Sequence, residues 1–138
     1  MINDMDQLRE FCAPDCDRHA DLCRWLDGYG IPHSDLSITG SRNIIIGFPP
    51  AQYDPSFRIK ILTAHYDRAS GSPGANDNSA AVFQLAALAR RLHRKKNKHN
   101  VLIVFTDHEE VTPESPSVTG QGAYKLGQYL IARESGKT

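Results

Sequence analysis

The chain has 138 residues, room for one domain and one core that buries roughly two-thirds of the unfolded chain's surface. Lys plus Arg and Asp plus Glu both number 16, so a net charge of zero gives no global pull toward nucleic acid or an anionic membrane. No run approaches the ~20 apolar residues of a membrane span, and Met1-Ile2-Asn3-Asp4-Met5-Asp6 has neither the basic start nor the apolar stretch of a secretory signal, so a cytoplasmic chain without nucleic-acid or membrane partners is expected.

Residues 5–11 and 17–27 read as two short helices. Leu8 and Phe11, then Leu22, Trp25 and Leu26, recur at three- and four-residue spacings, giving each helix one apolar face to lay on a sheet. Residues 1–32 are therefore read as a helical cover without chemistry. Cys12, Cys16 and Cys23 are an odd set near one end, a poor disulfide framework. With His19 they form a 4-3-4 spacing, yet ligands spread over helical turns converge on one ion only if the chain folds back, so reduced, half-buried thiols are expected. Gly28-Tyr29-Gly30-Ile31-Pro32 stops the second helix, and His33 is read as a solvated loop residue.

Asn43 to Phe48 is the first expected strand, β-branched and closed by Pro49-Pro50. The connection Pro49 to Phe57 is long enough for an antiparallel neighbour. Ile59 to Ala64 is the second strand, with Arg58 and Lys60 alternating against Ile59 and Ile61, and it ends in His65-Tyr66-Asp67. A Gly/Ser/Pro/Asn-rich loop, residues 69–76, leads to Asp77 at the mouth of a helix over residues 78–95. Residues 80–89 are apolar nearly all round, so its first half is expected to be deeply buried. The cations at its end, Arg90 to Lys98, suit the helix dipole, and no aromatic residues interleave to make a nucleic-acid patch. His93 and His99 are assigned to this solvated turn.

Val101 to Phe105 is an uninterrupted apolar run, expected at the centre of the sheet and buried on both faces. It ends in Asp107-His108-Glu109-Glu110. Two parallel strands need a crossover of about a dozen residues, and ligands of open α/β sheets bind outside the strands' carboxyl ends. Both acidic and imidazole clusters thus fall on one rim. A Pro/Ser loop, with Pro113-Glu114-Ser115-Pro116, leads to Thr119-Gly120-Gln121-Gly122 and a last helix through Ile131. No further strand follows, so one edge of Val101 to Phe105 is expected to be open and to favour self-association.

Ala64-His65-Tyr66-Asp67, the segment Ser72 to Ala80 containing Asp77, and Glu109-Glu110 resemble, in this order, the metal-binding core of the zinc-dependent exopeptidases of the M28 family. That family includes di-zinc aminopeptidases and mono-zinc glutaminyl cyclases. The match runs over about 43–130, the motif-bearing core of a single domain spanning 1–138. The resemblance implies a three-layer α/β/α fold with a mixed, mostly parallel central sheet, here apparently truncated to the N-terminal half of a catalytic domain. It implies His65 and Glu110 as zinc ligands, Asp77 as the carboxylate bridging two zincs, Asp67 as the group that orients the His65 imidazole, and Glu109 as general base. A cis peptide after Asp77 is often found in such peptidases. Asp107 matches an acidic position frequent in the cyclases and in some peptidases.

Each motif alone has an ordinary reading: His-x-Asp as a surface turn, Asp77 as an N-cap, two glutamates as a solvated loop. Asn76, Asn78 and Ser79 could cap equally well, and the side chains of Glu109 and Glu110 diverge from extended backbone, as a division of labour requires. By resemblance an Asp and a His that complete the ligand set belong beyond Thr138, and no His follows Glu110. The expected activity is aminopeptidase-type hydrolysis of peptides by metal-activated water, with two zinc ions and with this chain inactive alone. The alternatives are a glutaminyl-peptide cyclase with one zinc and a non-catalytic remnant.

Overall fold

The structure, a computed structural model, describes residues 4–114 and 116–136. Met1, Ile2 and Asn3 of the N-terminal reading, Ser115 of the Pro/Ser loop, and Thr138 lie outside them. Helix α1 spans Asp4–Phe11 and α2 spans Arg18–Gly28. Asp17 caps α2, its carboxylate accepting from the Ala20 N–H at 3.0 Å, which satisfies one of the donors a helix start leaves unpaired. Both helices follow their apolar spacing: Phe11, Leu22, Trp25 and Leu26 are buried. The Phe11 and Trp25 rings lie 4.9 Å apart, and Trp25 meets Phe83 edge-on at 4.8 Å.

A strand the sequence reading omitted comes next. Ser34–Ile38 (β1) pairs antiparallel with Ser41–Ile46 (β2), Ile38 opposite Ser41. That register leaves two turn residues, Thr39 at φ 44° and Gly40 at φ 86°, both left-handed as a tight hairpin demands, and glycine takes this conformation without a Cβ clash. Strand β3 spans Lys60–His65, helix α3 spans Ala80–Lys95 and strand β4 spans Val101–Thr106. Helix α4 spans Gly122–Glu134. Among the described residues no helix is long and apolar enough to cross a membrane.

The sheet order is β1-β2-β4-β3. The expected mixed α/β sheet is present, with its parallel pairing confined to β3 and β4, the two strands joined by the α3 crossover; β1–β2 and β2–β4 are antiparallel. Strand β4 is central, as its apolar run required, with Val101, Ile103, Val104 and Phe105 buried. Two expectations about its neighbours need correction. The chain after β2 does not return as an adjacent strand; it passes over one position, and β4 fills the gap. Strand β4 is paired on both sides, by β2 and β3, so among the described residues the edge strands of the sheet are β1 and β3. Ile61 is exposed on β3, beside exposed Phe57 and Ile59.

Residues Ile44, Ile46, Ile103 and Phe105 share one sheet face and pack with α1, α2 and α3 in the main core. The alternate residues serve the other face, where Asn43 Nδ2 donates to the Gly122 carbonyl at 3.1 Å and α4 lies against β1 and β2. Two histidines are less solvated than expected. The His99 ring packs edge-on to Phe48 at 4.6 Å and its Nδ1 accepts from the Val101 N–H at 3.0 Å, while the His33 side chain is only 13% exposed.

Candidate metal centre

Strands β3 and β4 run parallel with His65 opposite Thr106, so His65-Tyr66-Asp67 and Asp107 to Glu110 leave the sheet side by side at its carboxyl rim. The Tyr66 N–H donates to the Thr106 carbonyl at 2.9 Å, and the Glu110 N–H donates to Asp67 Oδ2 at 2.9 Å, which ties the two loops together. The third contributor is the irregular turn Ala75–Ser79, where Asp77 (φ −116°, ψ 91°) and Asn78 (φ −133°, ψ 30°) depart from helical geometry. The expected cis peptide Asp77–Asn78 is present.

This arrangement brings His65, Asp77 and Glu110 together, with one ligand atom from each within 4.8 Å of the others. His65 stands between two carboxylates: Nδ1 is 3.3 Å from Asp67 Oδ1 and Nε2 is 3.0 Å from Asp77 Oδ1. Asp67 is largely buried and Asp77 73% exposed, so Asp67 fixes the ring from behind while Asp77 faces the open side. Asp77 caps nothing: α3 begins at Ala80 behind Ser79, without a side-chain cap. One imidazole nitrogen and two carboxylates form a donor set that suits zinc, and the anchored Nδ1 leaves Nε2 as the ligand atom.

The electrostatics follow from the geometry. The Asp67 hydrogen bond raises the His65 pKa above its ordinary 6.5, against the opposing effect of burial, and the charges of Asp67, Asp77 and Glu110 add to the rise. Burial pushes the Asp67 pKa up, but His65 and the backbone N–H groups of Glu110 and Glu109 outweigh it and hold the carboxyl below 3.8. In metal-free protein His65 therefore contributes stability that is full below about pH 6.5 and is lost as pH rises through its higher folded value. Asp67 contributes above about pH 3.9, and that is lost as pH falls through its depressed value. Imidazole NMR titration of the metal-free chain should give His65 a midpoint above 6.5, lowered by Asp67→Asn; a wild-type midpoint at or below 6.5 would contradict the arrangement.

Glu109 stands apart from this group. Its Oε1 accepts from the Ala123 N–H at 2.6 Å, at the start of α4, and its carbonyl accepts from Gln121 Nε2 at 2.7 Å. Its neighbour Glu110 joins His65 and Asp77, so the two glutamates serve different partners, as expected. Asp107 is mainly a structural pin: its Oδ2 accepts from the Arg42 N–H at 2.9 Å, and its carbonyl accepts from the Gly122 N–H at 2.8 Å. A Cβ at Gly122 would overlap that carbonyl and Asn43 Oδ1, so only glycine lets α4 approach the rim this closely. His108 is an exposed rim residue at φ 54°.

Sequence reasoning missed the two arginines that hold the site loop. Arg18, buried at the start of α2, donates through Nε to the Phe11 carbonyl (3.1 Å), through Nη1 to Tyr66 (3.0 Å), and through Nη2 to Pro73 (2.8 Å) and Ser79 Oγ (2.9 Å). Arg68 reaches back to the carbonyls of Cys12 (2.9 Å) and Ala13 (2.7 Å). The helical cover thus clamps both ends of the loop carrying Asp67 and Asp77, and no periodicity announces such a role. The 4-3-4 group of Cys12, Cys16, His19 and Cys23 does not converge on one point: Cys12 faces Ser79 Oγ at 3.7 Å, Cys16 donates to the Phe11 carbonyl at 3.0 Å, and all three cysteines are free and half-buried, as expected. A cavity of about 570 Å³ lined by Asp54, Phe57, Lys98 and Asn100 lies at the opposite end of β3 and contains none of the site residues.

Comparison with known proteins agrees with this architecture. The chain is 36% identical over 93 residues to the uncharacterized protein YfbL of Escherichia coli, a stretch that is 60% of this chain and 28% of that protein. It superposes on a glutaminyl cyclase of Macrostomum lignano with a TM-score of 0.61 and 21% identity, covering 92% of this chain and 45% of the other. With a leucine aminopeptidase precursor of Bacteroides thetaiotaomicron the TM-score is 0.53 at 23% identity, covering 80% and 46%. The chain therefore spans less than half the length of these proteins, and the structural likeness establishes the fold. The family model for peptidase family M28 matches residues 43–129, more than half of the chain and all of the rim residues, and the chain belongs to that family.

Proposed function

We propose that this chain supplies one half of a zinc-dependent aminopeptidase centre that removes N-terminal residues from peptides, working with a second half that completes the ligand set. The observation that carries the reading is the convergence of His65, Asp77 and Glu110 around one point, with Asp67 behind the imidazole. His65, Asp77 and Glu110 would hold the metal. Zinc, when bound, supplies a Lewis acid that polarises the scissile carbonyl and makes water nucleophilic near neutral pH. Asp67 keeps the His65 proton on Nδ1. Glu109 takes the proton from the attacking water and returns it to the leaving amine, and its hydrogen bond at the start of α4 fixes the position of the carboxylate.

A glutaminyl-peptide cyclase is the second reading, favoured by a ligand cluster compact enough for one ion. Zinc stoichiometry in protein of the relatives' full length separates the two: two ions for the peptidase, one for the cyclase. Three protein donors can hold one zinc with water completing its shell but are too few for the two zincs of a peptidase centre, so the 138-residue chain alone should hydrolyse no peptide. The check is turnover of an amino-acid p-nitroanilide and a glutaminyl peptide at saturating zinc, with mass in solution measured alongside. Robust turnover by a monomer would overturn the half-site reading. The open edge of β3, with Ile59 and Ile61 exposed, favours pairing between copies of the isolated chain. Full-length protein that binds no zinc and turns over neither substrate would instead mark a non-catalytic remnant.

A further inference from the structure

A second convergence of ligand-type side chains lies where α2 meets β1, away from the three rim ligands. His19 and Cys23 are one helical turn apart on α2, and Asp35 reaches them from β1, with one ligand atom of each within 4.8 Å of the others. His19 Nε2 is 2.8 Å from Asp35 Oδ1 and 3.9 Å from Cys23 Sγ. Each donor is held independently. The His19 side chain is 14% exposed and packs edge-on to Tyr66 at 5.9 Å. Cys23 packs against the hydrophobic core, and Arg42 Nη2 fixes the second oxygen of Asp35 at 3.0 Å.

We propose that His19, Cys23 and Asp35 form a second metal site that takes a zinc-like divalent cation and staples α2 to the β1 edge of the sheet. Thiolate, imidazole and carboxylate are a borderline-soft donor set, suited to zinc and poorly suited to magnesium or calcium. Donors on a tetrahedral zinc at about 2.0–2.3 Å sit roughly 3.3–3.8 Å from one another, and the separations of 2.8 and 3.9 Å each lie within about 0.5 Å of that range, with all three donors inside 4.8 Å. The three protein donors leave the fourth position to water. Arg42 opposes the cation while it orients Asp35, which makes the site weaker than a closed four-ligand one. The sequence spacing concealed the group because its third member comes from an unforeseen strand, while Cys12 and Cys16 point elsewhere.

The test uses cobalt(II) titrated into the reduced chain, read by the near-ultraviolet sulfur-to-cobalt charge-transfer band. The rim group contains no sulfur donor, so its occupation produces no such band, and the two sites succeed or fail separately. The expected result is a thiolate band at one equivalent that is lost in Cys23→Ser and retained in Cys12→Ser and Cys16→Ser. Zinc should raise the wild-type melting temperature by more than that of Cys23→Ser. Should Cys23→Ser not fold, His19→Gln is the second variant, with the same expected loss of the band. Arg42→Gln should bind cobalt more tightly. A wild-type chain without the band, a band that survives Cys23→Ser, or weaker binding in Arg42→Gln would overturn the assignment.

Discussion

In protein spanning the full length of its relatives, Glu109→Gln should abolish turnover, by about 10² to 10⁴ in rate, while zinc content stays unchanged. Glutamine keeps the side chain's size, and its amide oxygen can still accept from the Ala123 N–H, but it cannot take the proton. The neighbouring change Glu110→Gln should act in the opposite sense, weakening metal binding first, because Glu110 and not Glu109 joins His65 and Asp77. Paired measurements of zinc content and kcat decide the matter. Zinc lost from Glu109→Gln and retained in Glu110→Gln would mean that the two roles are exchanged.

The second large effect is structural. Arg18→Met should destabilise the chain by several kcal/mol and weaken zinc binding at the rim, although Arg18 touches none of the three expected ligands. Its guanidinium satisfies the buried carbonyls of Phe11 and Tyr66, the carbonyl of Pro73 and the Ser79 hydroxyl from one fixed fork, and methionine fills the space without donating. Each buried acceptor left unpaired costs roughly 1–3 kcal/mol, against a total stability of about 5–15 kcal/mol for a domain. Lysine cannot reproduce the fork and should rescue little. Denaturant unfolding with zinc titration on the same samples measures both effects; a variant within about 0.5 kcal/mol of wild type, in the range of ordinary surface substitutions, would show that the clamp is not needed.

The parts of the molecule legible in the sequence are those that depend on local pattern. Leu22, Trp25 and Leu26 announced α2, the apolar run Val101 to Phe105 announced the central strand, and His65, Asp77 and Glu110 sit at the ends of elements whose order puts them on one rim. Pairings set at long range were not legible. Ser34–Ile38 is short, half polar and stabilised by its Thr39-Gly40 turn and by β2, so its pattern resembled a loop. Because β2 of that hairpin pairs with β4, the edges of the sheet fall on β1 and β3 and not on β4. Arg18 was not singled out in the sequence because its partners lie 48 to 61 positions away at Tyr66, Pro73 and Ser79. Asp35 was hidden from His19 and Cys23 because it lies on that unforeseen strand.

The most direct test of the rim as a metal centre is anomalous diffraction at the zinc edge from zinc-loaded crystals of the Cys23→Ser chain, in which the second site is disabled. The account predicts a peak about 2 Å from His65 Nε2 and from a carboxylate oxygen of Asp77 and of Glu110, with Asp67 still on His65 Nδ1. A chain that binds zinc with no peak at this point, or with Glu109 in place of Glu110 around it, would contradict it.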